Sequence, residues 1–422
     1  MQPPPGAGAF PVQVIEYPPF RDEIKRIALD DNSRAAIDAC RALVPELRAQ
    51  SREMDKTQRL PENIVQKMAD IGCYIAGAPE EVGGGGWHYA TYFRVMEELG
   101  RGNASAGWSV LVHLAAATLA MNLPLSGAQK LFSSRRTVIA GTPGAMGKAV
   151  RVDGGFRIVD GEWAWASNTL HATHYIGGFA VVEDAAAPVP SFPPKPGEPP
   201  VEMFIGYFPV TDGAVVEGSW DTLGLRGTHS GRFRLDDAFI PHDMAFARFD
   251  PDRVQLTAQA PHGIGGHAAV LLGATRHALE YFYALGKAKA PVAVGMAGGS
   301  LIERPVVQYK IAEVEAKLRA ARALFYEVID DCWARFEEGE HIGKPDHLVS
   351  QLMNTYLART CVECVQAIHE LCGTTGVFRE SPLEQILRDV QTGQSHMAIQ
   401  AKNYESYGKA FVGLPAMIFD VF

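Results

Sequence analysis

The chain has 422 residues, 47% hydrophobic and 21% charged, with a formal net charge of −9, enough for two or three domains around a large core. The acidic balance, with no long Lys/Arg run, speaks against nucleic acid or an anionic membrane surface as partner, and no apolar run reaches the roughly 18 residues of a membrane span. The proline-rich stretch Met1 to Pro19 lacks the basic-then-apolar order of a signal peptide, and six cysteines in a chain this long do not make a secreted disulfide framework, so a reducing cytoplasm is the expectation.

Residues 21 to 135 read as helices. Ala36, Ile37, Cys40, Val44 and Leu47 form an apolar stripe at three-to-four spacing. Leu60-Pro61-Glu62-Asn63 opens a second helix with proline in its first turn, and Gly72 stops it. After the glycine-rich loop Pro79 to Gly86, two more helices span Tyr89 to Gly100 and Ser105 to Met121. From 136 to 245 the pattern changes to short β-rich runs: Thr137 to Gly141, Ala149 to Val152, Phe156 to Ala164, Tyr175 to Val182, Met203 to Pro209, Val215 to Trp220 and Arg232 to Ile240. Asp153-Gly154-Gly155 is a hairpin signal. The close spacing predicts a compact antiparallel sheet or barrel. Seven prolines between Ala185 and Pro200 predict an exposed, extended insertion. From 254 to 415 helical stripes return, as in Leu271, Ala274, Ala278, Phe282 and Leu285, and again from Ile311 to Cys332 and from Ala358 to Cys372. These predict a helix bundle. The expected class is α+β, mostly α, with boundaries at 1–135, 136–250 and 251–422.

Four segments carry chemistry. Gly161-Glu-Trp-Ala-Trp165-Ala166-Ser167-Asn168 sets an indole beside a hydroxyl; alone it reads equally as a sheet-core tryptophan pair with a serine turn. Leu223-Gly-Leu-Arg226-Gly-Thr228-His-Ser230 leads into a strand, and its Arg226 reads mainly as structural. Gly373-Thr374-Thr375-Gly376 offers backbone amides and two hydroxyls to a phosphate, or simply ends one helix and caps the next. His396 follows Arg388-Asp389, and an imidazole titrates near neutrality. Cys361, Cys364, His369 and Cys372 look like metal ligands, but on one continuous helix the outer two stand about 16 Å apart, too far for one tetrahedral ion. No metal is expected. Gly263-Ile-Gly265-Gly266 lacks the strand–turn–helix setting of a dinucleotide fingerprint.

Taken together, these segments and the helix–sheet–helix order resemble the acyl-CoA dehydrogenase flavoenzyme superfamily over residues 30 to 415. The resemblance implies an N-terminal helical domain, a central β-barrel-like domain and a C-terminal four-helix bundle. In the dehydrogenases a catalytic glutamate often follows the Arg-Asp pair by eight residues; here that position is Met397, next to His396. Their second base position falls at about Gly263, and no Asp or Glu lies between Val254 and His277. The Arg-x-x-Phe-Gly segment that grips FAD pyrophosphate is replaced by Gly286-Lys-Ala-Lys-Ala-Pro291. The chain is more similar to the two-component aromatic hydroxylases of the superfamily. That branch implies an oxygenase component using FMNH2 or FADH2 from a separate flavin reductase. Oxygen would form a flavin C4a-hydroperoxide that hydroxylates an aromatic or heteroatom-bearing small molecule.

By the same resemblance Trp165, Ala166, Ser167 and Asn168 lie along the flavin, with Ser167 at N5 as a catalytic group. Thr142 lies nearby, and Gly373, Thr374 and Thr375 touch flavin bound by a neighbouring subunit of a homotetramer. His396 is the catalytic proton handler. Apart from the resemblance, Trp108 and Phe378 read as walls of an apolar substrate pocket or as ordinary core, and His262 and His267 as lining that pocket or as plain loop residues. One departure is the lack of any arginine between Val254 and Thr275, where some hydroxylases place one near the flavin. The alternatives are an acyl-CoA dehydrogenase or oxidase with a displaced base, Glu380 or Glu405, and a non-catalytic flavin-fold scaffold.

Overall fold

Helix α1 (Asp31–Thr57) starts where the Asp30 carboxylate accepts the Ser33 amide at 2.6 Å, and it stops where Gln58 turns left-handed. Helix α2 (Glu62–Ile71) begins after Pro61 and ends at Gly72, whose φ of 102° suits only a residue without Cβ. Helix α3 (Tyr89–Gly102) runs into Asn103. The Asn103 side chain caps α4 (Ala104–Leu119) by accepting the Ser105 and Ala106 amides at 2.9 and 3.2 Å. Helix α5 (Leu125–Leu131) completes the first helical stretch. The computed structural model describes residues 13–14, 27–188, 190, 201–248, 266–289 and 299–416. Most of the proline-rich insertion, together with His262 and Gly263, lies outside the described residues.

A two-residue strand β1 (Gln13–Val14) pairs with β10 (Pro415–Ala416). The main sheet holds β2 (Ile139–Val152), β3 (Gly155–Ala166), β4 (His174–Val181), β5 (Met203–Pro209), β6 (Gly213–Val216), β7 (Gly231–Leu235), β8 (Ala238–Pro241) and β9 (Ala245–Ala247). Their order is β6-β7-β3-β2-β4-β5-β9, with β8 beside β3. The sheet is mixed, not wholly antiparallel as expected, because β4 runs parallel to β2. Alternation along a strand reports which face is buried and carries no trace of the partner's direction. Two expected strands, Thr137 to Gly141 and Ala149 to Val152, are one strand with register shifts between Thr142 and Gly147. The expected Arg232 to Ile240 strand breaks at Asp237, which sits at φ 53°, and Ala245–Ala247 is an added strand.

Helices α6 (His267–Ala288), α7 (Pro305–Glu337), α8 (Lys344–Cys372), α9 (Pro382–Gly393) and α10 (Asn403–Phe411) follow the sheet. Side chains of α1 to α4 and of α6 to α9 share one apolar core, so the two helical regions bury each other's faces. A second core joins the sheet to α5 and the end of α4. At its centre Trp163 lies in a cradle of glycines. A Cβ on Gly147, Gly161 or Gly177 would come within 2.4, 2.2 or 2.6 Å of the indole. One stretch, Ala104–Asn122, is long and apolar enough to cross a membrane, contrary to the sequence expectation, yet 83% of its apolar window is buried inside the protein.

The α3–α6 crossing sets where α6 begins, and so where His267 stands. A Cβ on Gly273 would lie 2.0 Å from the Glu97 carbonyl oxygen, and one on Gly100 would lie 2.4 Å from that of Val270. Both obstacles are backbone, so the helices must part. Gly273→Ala is expected to destabilise the fold by about 2 kcal/mol through overpacking, despite the gain in helix propensity. A urea midpoint equal to or above that of the parent would contradict this.

Candidate active site

Trp108 of α4, His267 at the first turn of α6 and His396 in the turn after α9 meet in one cluster. The two imidazoles stack, with centroids 4.1 Å apart and planes 22° apart. Trp108 stands edge-on to both, at 5.1 Å from His267 and 5.5 Å from His396. Burial holds His396 down to about 4, and burial together with the neighbouring His396 holds His267 well below the usual histidine range. Both rings are therefore neutral at pH 7. His396 Nδ1 accepts the Ala398 amide at 3.2 Å, whereas His267 Nδ1 is buried with no hydrogen-bond partner among the described residues. No carboxylate acts on either ring among the described residues. Met397 is 49% exposed, and the displaced-base candidates Glu380 and Glu405 lie on the surface opposite Arg52 and Lys409.

The next residue of α4 reaches the other half of the site. Ser109 Oγ donates to Asn168 Oδ1, and Asn168 Nδ2 donates to the Ser109 carbonyl at 2.9 Å. The Asn168 amide thus ties the end of β3 to α4. Consecutive helix residues diverge by about 100°, so Trp108 and Ser109 hold the imidazoles and the β3 end against neighbouring faces of α4. At that end Trp165 is held at φ 61° with its indole 74% exposed, edge-on to Trp220 at 6.4 Å. Ala166 is buried and pairs with Gly231 of β7. Ser167 is buried, and its Oγ lies 2.6 Å from Ser230 Oγ. The β2/β3 register sets Gly147 opposite Gly161 and carries the half-buried Thr142 toward the same end as Ala166.

An exposed indole in a strained left-handed conformation, beside a hydroxyl with free lone pairs, fits the edge of a flat heteroaromatic ring such as a flavin. The Gly373–Thr375 loop packs on α8 and α9. Lys289 Nζ donates there to the Cys372 carbonyl at 2.7 Å and to Thr375 Oγ1 at 2.8 Å, which brings an ammonium to the exposed Thr374. Phe378, 61% exposed beside that loop, stands on the surface, away from the buried contacts of Trp108.

Arg388 and Asp389 anchor the cluster. Arg388 donates to both oxygens of Asp55 at 2.9 and 3.0 Å, to Glu384 at 2.6 and 2.9 Å, and to the Leu223 carbonyl at 2.8 Å. Asp389, pushed up to about 7 by burial, accepts the Leu225 amide at 2.6 Å. Arg226 is likewise occupied, by the Asp55 and Thr222 carbonyls and by Asp221. A cleft of about 720 Å³ opens beside Arg388, and its charged lining of Arg52, Lys56, Arg226 and Arg379 does not suit an apolar aromatic substrate. Ser109 and Asp55 carry no signal in the sequence; Thr228 and Ser230 stand in the Leu223–Ser230 segment, but only the fold brings them to Ser167.

Buried imidazoles also make the fold acid-sensitive. His113 donates from Nε2 to the Tyr74 carbonyl at 2.7 Å and accepts the Ile139 amide at Nδ1, and His171 accepts the Leu60 amide. Burial lowers His113 and His396 to about 4 and His171 and His277 to about 3. These groups take up protons on unfolding below the unfolded value near 6.5, so their stabilisation is complete above it and fades as pH falls. Asp389, raised to about 7, works in the opposite direction, but it is one group against these four and against His174, His229 and His267, which burial also lowers. The urea midpoint is expected to fall between pH 7 and pH 5; a rise would refute the burial of these rings.

Comparison with known proteins places the chain in a family and gives its fold known counterparts. Residues 30–130 match the family description "Acyl-CoA dehydrogenase, N-terminal domain" and residues 265–401 match "Acyl-CoA dehydrogenase, C-terminal domain". The chain is 27% identical over 377 residues to an indole-3-acetate monooxygenase of Pseudomonas putida, covering 87% of this chain and 90% of that one. It is 26% identical over 410 residues to the flavin-dependent monooxygenase oxygenase subunit HsaA of Mycobacterium tuberculosis, covering 90% and 95%. Its fold is similar to that of XiaF from a Streptomyces species, solved with FADH2 and glycerol, with a TM-score of 0.79 at 19% identity over 91% and 96% of the two chains.

Proposed function

The chain belongs to the acyl-CoA dehydrogenase family, and from that premise we propose that it is the oxygenase component of a two-component flavin-dependent monooxygenase acting on an aromatic or heteroatom-bearing small molecule. The observation that carries this reading is the stacked, buried His267–His396 pair beside Trp108, on which no carboxylate acts among the described residues. A dehydrogenase needs a carboxylate to take a proton from carbon, and a neutral imidazole suits the proton of a phenol or an oxygen acid.

When bound, reduced FMN or FAD supplies the electrons that activate oxygen, so that one oxygen atom enters the substrate. Trp165, Ser167 and Thr142 would hold the flavin ring, the indole by stacking and the two hydroxyls by hydrogen bonding. Trp108 gives the substrate an apolar wall, and His396 takes the substrate proton while His267 orients it. The flavin comes from a separate reductase, as the relatives' description as oxygenase subunits suggests. Large apolar side chains exposed beside the Gly373–Thr375 loop, Val377 at 60% and Phe378 at 61%, support assembly into a homotetramer that brings this loop to a neighbour's flavin. Six free thiols suit a reducing cytoplasm.

The test uses purified protein, reduced FMN or FAD, oxygen and a panel of phenols and indoles. A product heavier by one oxygen atom, formed only with reduced flavin, is the expected result. Protein that purifies yellow and bleaches with an acyl-CoA would make it a dehydrogenase. Protein that binds neither redox form of flavin would make it a scaffold.

A further inference from the structure

Behind Ser167 three hydroxyls stand in line. Ser167 Oγ is 2.6 Å from Ser230 Oγ, Ser230 Oγ is 2.7 Å from Thr228 Oγ1, and Thr228 Oγ1 is 2.7 Å from the Leu225 carbonyl oxygen. Each hydroxyl has one hydrogen to give, and a carbonyl has none. At 2.7 Å Thr228 must therefore donate to Leu225. With that hydrogen committed, Ser230 must donate to Thr228, and Ser167 must in turn donate to Ser230.

The backbone fixes the far end of this line. Leu225 is held left-handed at φ 53°, and its amide donates to Asp389 at 2.6 Å. Its carbonyl also takes the Thr228 amide, at 3.1 Å. Ser167, Thr228 and Ser230 are all buried, so water does not reset the hydroxyls. What Ser167 has left to offer is lone pairs.

A reduced isoalloxazine carries N–H at N5, and the oxidised ring carries a bare lone pair there. We propose that Thr228 and Ser230 are positioning residues that lock Ser167 as a hydrogen-bond acceptor, so that the site takes reduced flavin in preference to oxidised flavin. The inference rests on the reading of Ser167 as the N5 partner. It gives the site a reason to capture flavin from a reductase and to release it once oxidised. An oxidised ring would set two lone pairs against each other, and an unsatisfied buried contact of this kind is worth about tenfold in affinity.

The test is to titrate the protein with oxidised FMN and, without oxygen, with reduced FMN. Thr228→Val and Ser230→Ala each free the Ser167 hydrogen to turn outward. Each is expected to cut the preference for the reduced form about tenfold, chiefly by tightening the oxidised complex. The midpoint potential of bound flavin would fall by about 30 mV for that change in a two-electron couple. Thr228→Ser keeps the line and should keep the preference. If the preference survives Thr228→Val and Ser230→Ala but is lost in Ser167→Ala, the lock is refuted and the Ser167 reading stands. If Ser167→Ala alters neither affinity, Ser167 is not the N5 partner, and both fall. Should Thr228→Val fail to fold by circular dichroism, Ser230→Ala decides alone.

Discussion

His396→Ala is expected to lower the hydroxylation rate constant by about a hundredfold or more, the range for losing a positioned acid–base group. Flavin affinity should change little, because the flavin contacts proposed above lie at the β3 end and not in the turn after α9. His267→Ala should cost less, about tenfold, since His267 acts beside His396 and not in its place. Burial holds His396 down to about 4, so the rate should show no histidine inflection between pH 6 and 8 and should fall only toward pH 4 as the ring gains its proton. The measurement is single-turnover product formation with saturating reduced flavin. Unchanged product yield in His396→Ala would remove His396 from the chemistry. A rate falling by half near pH 6.5 would mean that the imidazole is wetter than the packing against Trp108 and His267 allows.

Arg388→Leu should lower stability by about 3 to 5 kcal/mol, because Arg388 is the cation between two half-enclosed carboxylates. Its side chain is 14% exposed, Asp55 is 14% exposed and Glu384 is 17% exposed. Truncation leaves both acids, and Asp389 beside them, without a counter-charge, and removing one partner of such a cluster costs more than the cluster contributed. The loss should be visible as a lower urea midpoint at unchanged slope. Product formation should fall as well, even where the variant is folded, because the same guanidinium ties α9 to α1 and to the Leu223 carbonyl and so sets where His396 emerges. A cost under about 1 kcal/mol would show that water already screens the cluster. Asp55→Asn should reproduce part of the effect, and the double variant should cost less than the two single losses together, as expected of groups in direct contact.

The helices were legible because their signals are local. The stripe Ala36, Ile37, Cys40, Val44 and Leu47 lies on the buried face of α1, Pro61 starts α2, Gly72 stops it, and the stripe through Val314, Leu318, Ala321 and Phe325 is the buried face of α7. The family motifs were legible for the same reason: tight turns, an exposed indole and an anchoring ion pair each demand particular residues at fixed spacing. Asn168 and Arg388 show the limit. Both sit inside motifs, and their side chains bond α4 and α1, contacts that no spacing within a motif announces.

By itself, then, the sequence determined the succession of helices, strands and helices, the absence of a carboxylate where a dehydrogenase keeps its base, and the presence of an imidazole one residue away. The tertiary structure decided the rest. It laid β4 parallel to β2, merged the two helical regions into one core, stacked His267 on His396 under Trp108, and brought Ser167 into line with Ser230 and Thr228. These features depend on groups far apart in the chain. Local periodicity registers which face is buried, and only packing determines what that face meets.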